Sequence, residues 1–317
     1  MITKDGNEIM SNLYDTLIIG AGPAGVSAAI YAARAGLNAL WLDNSFIPGG
    51  QIADSGNVDN YPGLPGISGV ELGETMAAHA ARFSMEPVRA KVLRIDRTED
   101  NAWLIHTKKN DYQARTVIYA AGASHRHLGI PGEEELSGSG VSYCATCDGA
   151  FFKDMDTIVI GGGNTACEDA LFLAKICRKV YLAHRRDALR ADRAAADPVL
   201  HTENIEVLWN TVPEEIIGTD VVTGLRVKNV KTGAQSELNV SGIFIAVGME
   251  PASALVSGSV DIDETGYIIA DETCVTSAPG FFAAGDIRTK PLRQVVTAVA
   301  DGANAVASVQ KFLQGAG

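Results

Sequence analysis

One pattern occurs twice in this chain, 141 residues apart, and it leaves little choice of fold. Asp15-Thr16-Leu17-Ile18-Ile19-Gly20 recurs as Asp156-Thr157-Ile158-Val159-Ile160-Gly161. Each apolar run ends in a glycine-rich turn: Gly20-Ala21-Gly22-Pro23-Ala24-Gly25 in the first copy, Gly161-Gly162-Gly163-Asn164-Thr165-Ala166 in the second. Each turn opens an alanine-rich amphipathic stretch, residues 26–35 and 167–177. A second apolar run follows, Ala39-Leu40-Trp41-Leu42 and Val180-Tyr181-Leu182-Ala183. Strand, helix, strand in this order is the βαβ unit of a parallel sheet. Two copies predict an α/β protein of two dinucleotide-binding, Rossmann-like three-layer domains.

The glycines have separate tasks. The first allows a tight turn, the second lets backbone approach a pyrophosphate, and the third position lets helix pack on strand. The helix start then offers free N–H groups and partial positive charge to phosphates. Asp43 ends the second strand of the first copy, and His184, followed by Arg185 and Arg186, holds the equivalent place in the second. A carboxylate there accepts from ribose hydroxyls, whereas cations there suit a 2′-phosphate. The second site is therefore expected to take NADPH and the first a cofactor with a free ribose diol. The alternative for His184-Arg185-Arg186 is a solvated basic turn.

Further apolar strands close on glycine at Val117-Ile118-Tyr119-Ala120-Ala121-Gly122 and Gly242-Ile243-Phe244-Ile245-Ala246-Val247-Gly248. Phe281-Phe282-Ala283-Ala284-Gly285-Asp286 is a third, with an acid at its tip suited to a sugar-alcohol hydroxyl of a flavin. This order suggests an FAD domain of residues 1–122 and 249–317, interrupted by an NADPH domain of residues 123–248. Pro62-Gly63-Leu64-Pro65-Gly66 reads as a turn-rich loop rather than a linker.

Between the two fingerprints lies Cys144-Ala145-Thr146-Cys147-Asp148. Two cysteines two residues apart form and break a disulfide through a short loop, and one thiol can have a depressed pKa. Asp148 is placed to receive or return a proton, or equally to act as a helix N-cap or turn residue before Gly149. Fingerprint, dithiol and fingerprint together read as a relay from a nicotinamide through a flavin to a protein disulfide.

Composition narrows the classes. A length of 317 residues fits two domains, and a net charge of −12 argues against nucleic acid or an anionic membrane as partner. No apolar run approaches the roughly 18 residues that span a bilayer. The first twelve residues mix Lys4, Asp5 and Glu8, which reads as a frayed polar extension rather than a signal peptide, with Met10 as an alternative start. Five cysteines make no disulfide scaffold and suit a reducing cytoplasm, and the lone CxxC lacks the second ligand pair of a structural zinc site. Cys167 and Cys177 read as small buried residues, and His125 and His127 as surface residues of a loop.

Taken together, Cys144-Ala145-Thr146-Cys147-Asp148-Gly149, His184-Arg185-Arg186-Asp187 with Arg190-Ala191, and Gly285-Asp286 with Arg293-Gln294 resemble the low-molecular-weight thioredoxin reductases, a branch of the flavoprotein disulfide reductases. Gly49-Gly50-Gln51 and Asn60-Tyr61-Pro62-Gly63 resemble the flavin loop of that branch. The resemblance implies FAD, NADPH, a homodimer and thioredoxin as substrate. It implies that Cys144 attacks the thioredoxin disulfide, that Cys147 lies against the flavin and that Asp148 is the acid/base. Gly20, Gly22, Pro23, Ala24, Gly25, Asp43, Gly50, Gln51, Asn60, Gly285, Asp286, Arg293 and Gln294 would hold FAD. Gly161, Gly163, Asn164, Thr165, Ala166, His184, Arg185, Arg186 and Arg190 would hold NADPH. The family turns one domain against the other between half-reactions, and the chain crossings near Gly122 and Gly248 are the expected hinges. Thr165 and Leu189 depart from the commoner serine and aromatic. A flavin dithiol oxidase and a ferredoxin-fed thioredoxin reductase are the alternatives, and neither needs the Arg185-Arg186 pocket. A peroxide-reducing flavoprotein would usually carry a further N-terminal dithiol domain. A non-catalytic nucleotide sensor would not need an active CxxC.

Overall fold

The computed structural model describes residues 8–45, 48–55 and 58–315. They form two compact units, one of the described residues up to Ser124 together with those from Glu250 on, the other spanning His125–Met249.

In the first unit the strands Ala39–Asp43, Glu8–Ile19, Asn110–Tyr119 and Phe281–Ala283 lie parallel, in that order. The short strand Val88–Arg89 adds to the outer edge of Ala39–Asp43. Trp103–Thr107 pairs antiparallel with the first half of Asn110–Tyr119, and Val92–Arg97 with Trp103–Thr107. Alternation along the strands builds two cores. Ile18, Trp41, Ile118 and Phe282 face helices Pro23–Arg34 and Val295–Gly315, while Leu17, Leu42, Val117 and Phe281 face the other way. Burial on both faces explains why these strands read as continuous apolar runs.

The second unit repeats the plan. Ile205–Trp209, Lys179–His184, Asp156–Gly161, Gly242–Ala246 and Val141–Ser142 form a parallel sheet in that order. Helix Asn164–Ala174 covers one face through Ala166, Cys167, Ala170 and Leu173. The antiparallel strands Thr211–Gly218, Val222–Asn229 and Gln235–Leu238 supply Ile216, Leu225 and Val227 to the other core. The fold is thus α/β with two Rossmann-like three-layer halves, as the repeat implies.

Two local readings change. The helices start three residues earlier than the apolar periodicity suggested, at Pro23 and Asn164, because the last part of each fingerprint is itself the first helical turn. The polar N-terminal extension is strand from Glu8, pairing with Asn110 and Asp111 before an irregularity between Ile9 and Leu13. Ladder hydrogen bonds need no apolar side chains, so composition did not reveal this segment. Residues 1–7 lie outside the described residues. Among the described residues no helix is long and apolar enough to cross a membrane.

Helix Val295–Gly315 crosses Pro23–Arg34 at Gly302. A Cβ on Gly302 would overlap the Ala24 carbonyl oxygen and stand 2.8 Å from Ala28 N, both rigid backbone. Gly302→Val is expected to cost about 2 kcal/mol or more of stability. A thermal midpoint equal to the parent's would show that the crossing tolerates a side chain.

Candidate active site

In the first unit the candidate residues gather at the C-terminal ends of the parallel strands. Gly20 has φ +108°, and a Cβ there would overlap the Ala120 carbonyl oxygen. A Cβ on Gly25 would overlap the Gly20 oxygen, so the third glycine lets the helix close onto the turn. Gly22 differs: its nearest neighbour is the Gly49 oxygen at 3.9 Å, which leaves its face open to a ligand. Pro23 and Ala24 open a helix that has no side-chain cap, whereas helix Gly69–Ala81 is closed by a capping box of Ser68 and Glu71. Uncapped first-turn N–H groups and the positive helix end form an anion site. Asp43 ties this turn to its strand, accepting from Ala21 N at 3.0 Å and from Ser45 N at 2.8 Å.

Gly50 passes over the fingerprint, where a Cβ would stand 3.2 Å from Gly22 Cα, and Gln51 follows in the short turn Gly50–Asp54. Asn60 Nδ2 donates to Gln294 Oε1 at 2.9 Å. Gly285 packs against Ala24, with 2.9 Å between a Cβ built on it and the Ala24 Cβ. Arg293 lies over the Tyr267 ring at 3.8 Å. Among the described residues Arg293 Nε has no hydrogen-bond partner, and Asp286 Oδ1 has none beyond the Lys290 ammonium 3.3 Å away. Buried polar atoms of this kind call for a ligand. An acceptor and a donor beside an open, uncapped fingerprint fit the hydroxyls and phosphates of FAD.

In the second unit Gly163, the counterpart of Gly22, has no atom within 4 Å of a Cβ. Helix Asn164–Ala174 also lacks a side-chain cap. Asn164 braces the loop beyond, pairing with Asp192 through Nδ2 at 2.9 Å and Oδ1 at 2.8 Å. Thr165 is exposed, and the buried Ala166 methyl lies against Gly161. His184 is not presented to solvent with the arginines. It is 4% exposed, its Nδ1 lies 3.0 Å from the Gly161 oxygen, and its ring fills the space where Gly162 would carry a side chain. It therefore shapes the turn. Arg185, Arg186 and Arg190 are exposed, and none forms a salt bridge among the described residues. Neighbouring Asp187 is held by Lys231 at 2.7 Å. Three unengaged guanidinium groups at a strand end, beside an uncapped helix, are suited to a phosphomonoester. Leu189 packs on the core beneath them.

Cys144 and Cys147 are joined as a disulfide, with Cα atoms 5.3 Å apart. Cys144 stands before the one-turn helix Ala145–Asp148, and Ala145 buries against the fingerprint helix face of Ala166 and Ala170. Both cysteines are half-buried and Thr146 is exposed. Asp148 makes no capping bond, although it precedes the turn Gly149–Phe152. Its carboxylate accepts instead from Ser142 Oγ at 2.6 Å, and Cys144 N donates to the same hydroxyl at 3.1 Å. Burial raises the Asp148 pKa, and the Ser142 bond offsets part of that rise.

Sequence reasoning missed several neighbours. Ser142 has no motif, since only loop closure brings it to Asp148. His125 is not a plain surface residue: it stacks on Tyr143 at 4.9 Å, and burial pushes its pKa down to about 4. The Tyr143 hydroxyl, beside Cys144, donates to buried Glu133 at 2.8 Å. His127 is exposed, as read. Asp169 follows Glu168 on the fingerprint helix, and burial together with that neighbour pushes its pKa up to about 7. An acid set among the core-facing Ala166, Ala170 and Leu173 was the signal that could have exposed it. Cys167 and Cys177 are buried thiols, as read, with pKa values raised by burial.

A raised carboxyl pKa penalises the folded state once the unfolded chain has ionised. Asp148→Asn is therefore expected to raise the thermal midpoint at neutral pH, and the gain should vanish in acid below the ordinary carboxylate range. Asp169→Asn should behave alike, with its window reaching up to about pH 7. A neutral-pH midpoint unchanged in both variants would show that burial does not strain these acids.

Comparison with known proteins agrees with this geometry. The pyridine nucleotide-disulphide oxidoreductase family matches residues 14–302. A thioredoxin reductase of Peptoclostridium litorale is 46% identical over 96% of this chain and 98% of its own. A thioredoxin reductase of Listeria monocytogenes is 43% identical over 95% of this chain and 94% of its own. The crystal structure of thioredoxin reductase from Streptococcus pyogenes is 43% identical, covers 96% of this chain and 100% of its own, and has a TM-score of 0.91. The chain belongs to the pyridine nucleotide-disulphide oxidoreductase family, among its thioredoxin reductases.

Proposed function

We propose that the chain reduces the disulfide of thioredoxin with NADPH as electron source, through FAD and the Cys144–Cys147 pair. The observation that supports this reading is the disulfide seated against the uncapped fingerprint helix Asn164–Ala174, in the same unit as the exposed Arg185, Arg186 and Arg190. The turn Gly20–Gly25 with Asp43, Asp286 and Arg293 would hold FAD, which would supply two-electron chemistry between the nicotinamide and the disulfide. The first unit is the FAD domain and the second the NADPH domain, with the residues named above in those roles. Gly122 and Gly248, at φ +69° and +113°, are the hinges. The protein acts as a homodimer in the cytoplasm.

Within the chain, the Cys144 thiolate attacks one sulfur of the thioredoxin disulfide, forming a mixed disulfide and releasing a thioredoxin thiolate. Cys147 then attacks Cys144, restoring the internal disulfide and releasing the second thioredoxin thiolate. Asp148, held at Ser142, gives and takes the proton of the departing or arriving thiol. The Arg185-Arg186 pocket has no task in a dithiol oxidase or a ferredoxin-fed enzyme. An anaerobic NADPH titration followed by thioredoxin tests the reading: the flavin should bleach and then recover.

Replacing Arg185 and Arg186 by glutamine should weaken NADPH binding by about 1.5–3 kcal/mol per lost phosphate contact and leave NADH nearly unchanged. Equal losses for both would mean that these arginines do not read the 2′-phosphate. Cys147→Ser should trap thioredoxin on Cys144 as a stable mixed disulfide, visible as a reducible band in electrophoresis. Cys144→Ser should trap none and still accept hydride from NADPH. Full turnover by either serine variant would remove the dithiol from the mechanism.

A further inference from the structure

Three groups behind Asp286 have no place in the relay. Asp301 lies on helix Val295–Gly315, and Arg288 and Lys290 lie on the loop that leads to it. All three side chains are 2% exposed. We propose that Lys290, clamped on Asp301, is a positioning residue that holds Asp286 ionised with one oxygen available to the flavin. The inference rests on the reading that Asp286 accepts a hydroxyl of FAD.

Buried charge is costly unless paired, and here every pairing is accounted for. Asp301 takes Arg288 side-on, Oδ2 from Nε at 2.8 Å and Oδ1 from Nη2 at 2.7 Å. The same carboxylate accepts from Gly285 N at 2.9 Å and from Lys290 Nζ at 3.2 Å. Arg288 also donates to the oxygens of Thr289 at 2.9 Å and Ala270 at 3.3 Å, and approaches Glu272 at 3.3 Å. Asp301 is therefore saturated, and it already shares its charge with a bidentate arginine. The Lys290 ammonium, which also donates to Thr297 Oγ1 at 3.3 Å, turns part of its charge to Asp286 Oδ1 at 3.3 Å.

Beyond this contact Oδ1 has no hydrogen-bond partner among the described residues, so one of its lone pairs stays open beside the ammonium. Lys290 thus supplies a countercharge while leaving the acceptor unspent. Without it, Asp286 would face the charges of Arg293 and Asp301 alone in a buried place that favours the neutral acid. The clamp also has the right attachment. Asp301 holds the Gly285 N–H directly, Arg293 reaches the Arg288 oxygen at 3.5 Å, and Gly302 beside Asp301 abuts the fingerprint helix at Ala24 and Ala28. One carboxylate ties together the acid tip, the arginine and the phosphate-binding helix.

The test measures FAD retained by the full-length holoprotein on dilution, from the fluorescence of released flavin. Asp286→Asn should weaken FAD at least about tenfold, and Lys290→Met by a comparable factor. The double variant should bind FAD no more than about twofold worse than the weaker single, because Lys290 acts through Asp286. Lys290→Arg should restore most of the affinity. Losses that multiply in the double variant, or Lys290→Met retaining FAD like the parent while Asp286→Asn does not, would overturn the inference and leave the Asp286 reading standing. Unchanged FAD retention in Asp286→Asn would overturn that reading first. If Lys290→Met does not purify, Lys290→Gln serves the same comparison with the same outcomes.

Discussion

Everything in this protein depends on how closely a helix can approach the end of the strand before it. In the first unit a side chain at Gly25 would overlap the Gly20 oxygen, and one at Gly20 would overlap the Ala120 oxygen. Removing those side chains lets helix Pro23–Arg34 start directly at the sheet. Its first N–H groups then point uncapped over the strand ends, where Gly22 leaves room. The second unit reaches the same geometry differently. Ala166 replaces the third glycine, and the buried His184 ring occupies the space beside Gly162.

The two copies diverge where chemistry requires it. Asp43 spends its carboxylate on the backbone of its own turn and on Ser45. Its counterpart His184 turns inward, and the cations that follow it are left at the surface without an ion-pair partner among the described residues. Other basic groups are committed: Arg178 to Asp156 at 2.8 Å and Arg226 to Glu237 at 2.8 Å. Cations that a chain leaves unengaged beside an uncapped helix are cations held for an anion.

Burial tunes the acids throughout. The pKa values of Asp148, Asp169 and Asp286 are all raised from the ordinary value, with burial as the first cause. Each has a different counterweight: a serine hydroxyl at Asp148, none at Asp169, and a buried lysine at Asp286. The first suits a group that must exchange a proton. The last suits a group that must stay charged and still.

The repeat, the glycine turns, the CxxC and the change from Asp43 to His184-Arg185-Arg186 were legible in the sequence, because each is a local rule of backbone sterics or charge. Fold class and most candidate residues followed from them. The start of the first strand at Glu8 was not legible, since a ladder can be built from polar residues. Nor were the Ser142 hydroxyl under Asp148, the inward turn of His184, the stack of His125 on Tyr143, or the saturation of Asp301 by Gly285, Arg288 and Lys290. Those are decided by which groups the folded chain brings into contact with one another. Sequence alone determined where phosphates and a disulfide can go, because those sites are made of consecutive residues. Tertiary structure alone decided how each acid is charged, because burial in the packed chain is the first cause of every shift.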